Sequence, residues 1–184
     1  KSSPTPYVPI ILLAVSIAAR RRMKHAALDA ITAYLNASLP DDSNIYVFVP
    51  GGVGLPTTHD ENGRRMSVKL LKALYGVPIA GRCWYEELNE NLVLQFGWTR
   101  STWEPCFYYQ RNTDGQLAML LLYVDDFLLF VDTAEWLSSL KAELKQAYPM
   151  KDLGEVRRYV GMEFTWGEDY VVVHNRQYIF NMLR

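Results

Sequence analysis

Cysteine is scarce in this chain of 184 residues, with only Cys83 and Cys106 present. They form no CxxC pair and have no histidine at ligand spacing, which argues against structural zinc and for a reducing compartment. Net charge is also nearly missing, at −1. No global basic signature for nucleic acid exists, so any such binding rests on local patches. The apolar run from Pro9 to Ala19 is too short to span a bilayer, and Arg20, Arg21 and Arg22 follow it where a signal peptide has its charges first. It reads as a buried helix. Residues 50 to 65 are rich in glycine, yet they lack phosphate-loop spacing and a following Lys-Ser/Thr, which leaves a connector. Internal repeats and low-complexity tracts are absent.

What the chain does have is apolar and aromatic substance, 49% and 13% of residues. This excludes a disordered chain and is enough for one domain with a real core. The first residue is Lys1, which suggests a piece of something longer.

Periodicity predicts helices over Ile10 to Arg22, Ala30 to Leu39, Ala80 to Gln95 and Ala134 to Ala147. In the third, Trp84, Leu88, Leu92 and Phe96 form a stripe that reads as core. Strands are expected at Met23 to Leu28, Ile45 to Val49, Met66 to Leu74, Cys106 to Gln110, Leu117 to Val124, Phe127 to Val131, Val156 to Trp166 and Tyr170 to His174. Asn112-Thr113-Asp114-Gly115 is a strong hairpin signal, Met150 to Gly154 reads as a loop, and Asn175 as the cap of a last helix. The order implies an α+β fold, with helices packed on one face of an antiparallel sheet.

The most telling stretch is Leu117 to Val131, where Asp125 and Asp126 interrupt an otherwise apolar segment. One continuous strand would bury two unpaired charges. A hairpin with both aspartates at its turn avoids this and sets two carboxylates side by side on a rigid tip. Such a pair repels itself unless it is solvated or shares a cation, so a divalent metal is its natural partner, although Asp-Asp is also common in plain turns. A two-metal site needs a carboxylate from another strand, and Asp29, after the strand Met23 to Leu28, is the best candidate; a helix N-cap is its more ordinary role.

Asp29-Ala30-Ile31-Thr32-Ala33-Tyr34-Leu35-Asn36 resembles the first catalytic motif of copia-type, Pseudoviridae-like retrotransposon reverse transcriptases. Leu74-Tyr75-Gly76-Val77 with Arg82 and Trp84-Tyr85 resembles their next block, and Tyr123-Val124-Asp125-Asp126 their metal-binding signature. Met150-Lys151-Asp152-Leu153-Gly154 with Gly161 is similar to the block after that, and Gln177-Tyr178-Ile179 to the start of the following helix. The match runs in order from about Pro4 to the last residue. Departures include Ile31 and Pro9 in place of basic residues, and Ile79-Ala80-Gly81-Arg82 where Gln-Ala-Pro-Arg is usual.

The resemblance implies a reverse-transcriptase palm with partial fingers and the start of a thumb. Residues 1–28 and 40–74 would be partial fingers and palm, 75–166 the palm core and 167–184 the thumb start. It implies RNA-directed DNA polymerisation by two Mg²⁺, with Mn²⁺ as a substitute, held by Asp29, Asp125 and Asp126. Tyr34 would lie under the incoming sugar, Thr32 and Ala33 by the triphosphate, Tyr75 and Gly76 beside nucleotide and template base, and Arg82 on a phosphate. Lys69, Lys72, Lys151, Arg157 and Arg158 are candidate backbone contacts. The implied partners are template–primer, dNTPs and the integrase and RNase H of a Pol polyprotein, with no membrane; the implied location is a cytoplasmic virus-like particle or the nucleus, without secretion. The rival expectation is an inactive or co-opted palm acting as a nucleic-acid or protein binding module.

Overall fold

The computed structural model of the protein describes residues 3–49 and 59–183. Its elements in chain order are α1 (Val8–Arg20), β1 (Lys24–Ala30), α2 (Ala33–Asn36), β2 (Tyr46–Phe48), β3 (Ser67–Lys69), α3 (Ala80–Leu94), β4 (Thr99–Arg100) and β5 (Phe107–Arg111). They continue with β6 (Leu117–Tyr123), β7 (Asp126–Val131), α4 (Ala134–Ala147), β8 (Met150–Gly154), β9 (Arg158–Tyr159), β10 (Met162–Trp166), β11 (Val171–His174) and α5 (Arg176–Met182). Of the connector expected at 50–65, residues 50–58 lie outside the described residues.

Six strands form one antiparallel sheet in the order β4-β5-β6-β7-β1-β8. Because successive side chains point to opposite faces, β6 and β7 are apolar at nearly every position: each of their faces meets a separate core. One face carries Leu28, Leu120, Leu122, Phe127 and Leu129 against Trp84, Leu88 and Leu92 of α3 and Leu140 and Leu144 of α4. The other carries Ala27, Met119, Leu121, Leu128 and Phe130 against Ile11, Ala14, Val15 and Ala18 of α1 and Tyr159, Met162 and Phe164 of a three-stranded sheet, β11-β10-β9. The fold is α+β as expected, but helices on one face needs correction. The stripe of α1 at i, i+3, i+4 and i+7 buries it on the second face.

Ion pairs fasten these layers. Arg21, just past α1, reaches Asp132 after β7 through Nε at 3.1 Å and through a second nitrogen at 2.6 Å. The same carboxylate accepts the Leu117 N–H that opens β6. Burial alone would raise the Asp132 pKa, but these hydrogen bonds outweigh it and hold the carboxyl below its usual range.

Four other local expectations change. Met150 to Gly154 is a strand, because β8 pairs with β1 through Leu28↔Asp152, Asp29↔Lys151 and Ala30↔Met150. The long strand Val156 to Trp166 is folded back on itself by a turn at Val160-Gly161, which pairs Tyr159 with Met162. Ala30 belongs to β1, and α2 is a single turn. Asn175 precedes α5 without a side-chain cap. Among the described residues no helix is long and apolar enough to cross a membrane.

Candidate active site

Asp29 is not a helix cap. It lies inside β1, between buried Leu28 and Ala30, and pairs in register with Asp126 on β7. Directly opposed residues of an antiparallel pair share a face, so the two carboxylates are neighbours by construction. On the other side of Asp29 the register partner is Lys151 of β8. A row of Asp126, Asp29 and Lys151 therefore crosses three strands.

The turn above this row is displaced by one residue from the expected one. Tyr123 pairs with Asp126, so the two turn residues are Val124 and Asp125, and Asp126 opens β7. The reason is backbone twist: a two-residue hairpin favours turns with positive φ, and Val124 supplies it at 57°. A β-branched residue is strained there. Two groups from outside the hairpin hold the strained turn. The Trp84 indole Nε1–H on α3 donates to the Val124 carbonyl at 2.6 Å, and the Ala30 N–H on β1 donates to the Asp125 carbonyl at 2.8 Å. The tip is thus tied to the strand that carries Asp29.

Electrostatics report the crowding. The Asp126 carboxyl is pushed up to about 6, first by burial and then by the negative charges of Asp125 and Asp29. Nearby, the rings of Tyr34 and Tyr75 pack at 4.4 Å between centroids. Burial raises both phenols, and the charge of Asp125 raises them further. The structure therefore sets Asp29 and Asp126 side by side next to the turn that carries Asp125, with Tyr34 and Tyr75 nearby.

The remaining candidates differ. Thr32 has φ of 51° and donates its hydroxyl to the Ile31 carbonyl, while Ala33 is fully buried below it. Gly76 has φ of 93°, a conformation that suits glycine. Arg82 is exposed, and its guanidinium engages Glu86 one helical turn later at 2.7 Å. That is the behaviour of a solvated helix residue.

Among the described residues, no group of three or more His, Cys, Asp or Glu side chains is gathered as a ready ligand set. The donor chemistry nevertheless fits a hard divalent cation, because all donors are carboxylate oxygens and their mutual repulsion disfavours full ionisation without a counter-charge.

Three features escaped the sequence reading. Trp84 looked like core, and it is buried, but its N–H is also the anchor of the turn. Lys151 passed for a scattered surface charge until β8 placed it in the row. A groove of about 390 Å³ adjoins Asp126, lined by Arg158, Tyr159, Val160, Gly161 and Tyr178. The positive φ values of Val160 and Gly161 that shape it had only the glycine as a signal.

A family model described as reverse transcriptase (RNA-dependent DNA polymerase) matches residues 1–184. The chain is 31% identical over 161 residues, 88% of its length, to a retrovirus-related Pol polyprotein from transposon TNT 1-94 of Nicotiana tabacum. It is 30% identical over 174 residues, 94% of its length, to a retrovirus-related Pol polyprotein from transposon RE1 of Arabidopsis thaliana. A putative transposon Ty5-1 protein of Saccharomyces cerevisiae is 31% identical over 135 residues, 73% of this chain and 41% of that protein. The chain spans only 12% and 11% of the tobacco and Arabidopsis polyproteins. No solved structure matches. With its whole length matched and its acidic blocks in order, the chain belongs to the reverse transcriptase family, of the copia-type kind found in transposon Pol polyproteins.

Proposed function

We propose that the chain is the palm of an RNA-directed DNA polymerase that copies a template by two-metal nucleotidyl transfer, with residues 1–28 and 40–74 as partial fingers and palm, 75–166 as palm core and 167–184 as the start of a thumb. The observation that carries this reading is the pairing of Asp29 with Asp126 beneath a turn that presents Asp125. Nucleotidyl transfer sets a primer 3′-hydroxyl in line with an α-phosphorus while pyrophosphate departs. Asp29, Asp125 and Asp126 would hold two Mg²⁺ or Mn²⁺, which when bound neutralise the triphosphate and acidify the hydroxyl. The chain's own part is placement. Two strands and a clamped turn fix the carboxylates, the Tyr34–Tyr75 pair offers an aromatic floor beside them for sugar and base, and Thr32 and Ala33 set the backbone next to the triphosphate.

Contact with template and primer is supported by the β2–β3 ribbon. Tyr46 and Phe48 are exposed, Lys69 lies across from Tyr46, and the Arg65 guanidinium stands 5.1 Å above the Phe48 ring. Exposed aromatics among cations suit stacked bases and phosphates. Within a Pol polyprotein, integrase and RNase H segments would accompany this domain.

The test is template-directed primer extension with dNTPs and Mg²⁺ or Mn²⁺. Asp125→Asn is expected to reduce incorporation to background while leaving the fold intact by circular dichroism. Unchanged extension would refute the assignment. The rival reading, a binding module without polymerisation, is favoured by the carboxylates not forming a ready ligand set; nucleic-acid binding by the wild-type chain without incorporation would select it.

A further inference from the structure

We propose that His25 and Trp166 form a positioning clamp that fixes the β9–β10–β11 sheet, and with it the groove beside Asp126, against the strand that carries Asp29. The kinetic side of this proposal rests on the polymerase reading; the structural side does not.

The clamp closes on one residue. Val156, fully buried between β8 and β9, donates its N–H to His25 Nδ1 at 3.2 Å, and its carbonyl accepts the Trp166 indole N–H at 2.6 Å. The two rings that grip it stack on each other, 4.1 Å between centroids and 23° apart. His25 belongs to β1, four residues before Asp29, and its register partner is Phe130 of β7, whose ring lies 6.0 Å from that of Trp166. Trp166 ends β10. Both polar backbone groups of a buried residue are thereby satisfied by side chains of the two sheets, and leaving either unmet would be costly. Two residues after Val156 the chain enters β9, then the Val160-Gly161 turn that lines the groove. Apolar packing holds the two sheets together, and this grip adds the directional bonds that set the groove wall relative to the strand of Asp29.

The grip needs a particular protonation state. Nδ1 accepts a hydrogen bond, so the ring is neutral with its proton on Nε2. Burial holds the imidazole below its ordinary value; Glu155 works against that and Lys24 with it. The cavity that the ring shares with Trp166 also contains Arg22 and Glu168, which pair with each other at 3.1 Å, and its α4 wall is uncharged, being Ala134, Leu137 and Ser138. On the far side of Trp166 the charged or titratable groups are Glu155, Arg157, Arg158, Glu163 and His174, the last two 3.5 Å apart. A proton added to Nδ1 sets one N–H against another, and the clamp opens on the acid side.

The experiment has two arms. In the first, the histidine ring and backbone amides of the wild-type chain are titrated by NMR. The His25 ring is expected to titrate below an ordinary imidazole, and the Val156 and Gly161 amides to move with the same midpoint. Amides that do not follow the ring overturn the clamp. In the second, kcat and primer KM are measured across the same pH range for wild type, His25→Gln and Trp166→Phe. Glutamine keeps an acceptor that cannot titrate, and Trp166→Phe keeps a ring but loses the N–H. Wild type should show primer KM rising about three- to tenfold on the acid side, the worth of one such hydrogen bond. His25→Gln should flatten that rise, and Trp166→Phe should raise KM at every pH. Identical KM profiles for wild type and His25→Gln overturn the positioning role, even if both variants are less stable. Should wild type itself fail to extend a primer, the functional reading fails and the NMR arm decides the clamp.

Discussion

Asp126 directly follows the turn at Val124-Asp125 and shares a groove with the turn at Val160-Gly161, and each turn begins with a valine at positive φ, 57° in the first and 46° in the second. For a β-branched residue that conformation is a strained one, of order 1–3 kcal/mol. At the second turn the strain is shared with Gly161, whose φ of 78° completes the pair of positive angles that a type I′ hairpin requires. The first turn contains no glycine. Its strain is instead held from outside, by the Trp84 indole on one carbonyl and the Ala30 amide on the other. Composition accommodates the groove wall, whereas tertiary contacts enforce the carboxylate tip, and only enforcement fixes the tip relative to Asp29.

Removing the enforcement should have the largest effect. Trp84→Phe takes away the donor to Val124 and leaves a gap in a site where the wild-type ring is 1% exposed. The unmet carbonyl and the lost packing together are expected to cost about 3 kcal/mol in urea unfolding. Primer-extension kcat should fall at least about tenfold, since a tip misplaced by a fraction of an ångström disturbs alignment. A loss below about 1 kcal/mol with kcat intact would mean that the hairpin supports its own turn, and the contrast between the two turns would disappear.

A smaller effect is expected at Asp126 itself. Its pKa is raised in the fold, from 3.8 to about 6. A raised carboxyl binds its proton more tightly when folded, so its contribution to stability is present below about 4 and is lost as pH rises through about 6. Asp126→Asn should therefore stabilise the chain at pH 8 by about 1–2 kcal/mol, solvent screening of a partly exposed group allowed for, and do little at pH 4. Paired thermal melts at the two pH values check this. Added Mg²⁺ should narrow the pH 8 difference by stabilising only the wild type, and an equal gain at both pH values would remove charge repulsion as the cause.

Much of this was legible in the residues. The two-sided apolar run around Asp125 and Asp126 announced a hairpin, and helix periodicity located α1, α3 and α4, because burial against a core leaves a periodic trace. Asp29 was named as the candidate carboxylate from another strand because it follows the apolar strand Met23 to Leu28, and its pairing with Asp126 sets the two side by side. What could not be read was register. The exact turn depended on a valine accepting positive φ, which local propensity disfavours and only Trp84 and Ala30 make tolerable. Strand β8 was hidden because Met150-Lys151-Asp152-Leu153-Gly154 has no strand pattern of its own. It is an edge strand held by Lys141 and Lys145 of α4, whose amines reach Asp152 at 2.6 and 3.0 Å. Lys151 beside Asp29 follows from that pairing alone.

The finest comparison exchanges each valine for glycine, and the expected effects are the smallest. Glycine relieves the positive-φ strain at either site but adds unfolded-chain entropy of about 1 kcal/mol, so packing decides the sign. Val160 packs against the second apolar cluster, and that contact is lost with its side chain. Val124 belongs to neither cluster. Val160→Gly should thus be neutral within about 0.5 kcal/mol, and Val124→Gly should stabilise by about 0.5–1 kcal/mol. Activity should move the other way. A glycine at 124 lets the Asp125 tip sample other backbone angles between its two tethers, so kcat should fall several-fold although the chain is more stable, while the 160 variant keeps its kcat. Denaturant midpoints and extension rates for the two variants read both quantities. If Val124→Gly gained stability at no catalytic loss, the strained valine would be incidental to placing Asp125, and the tethers from Trp84 and Ala30 would be sufficient by themselves.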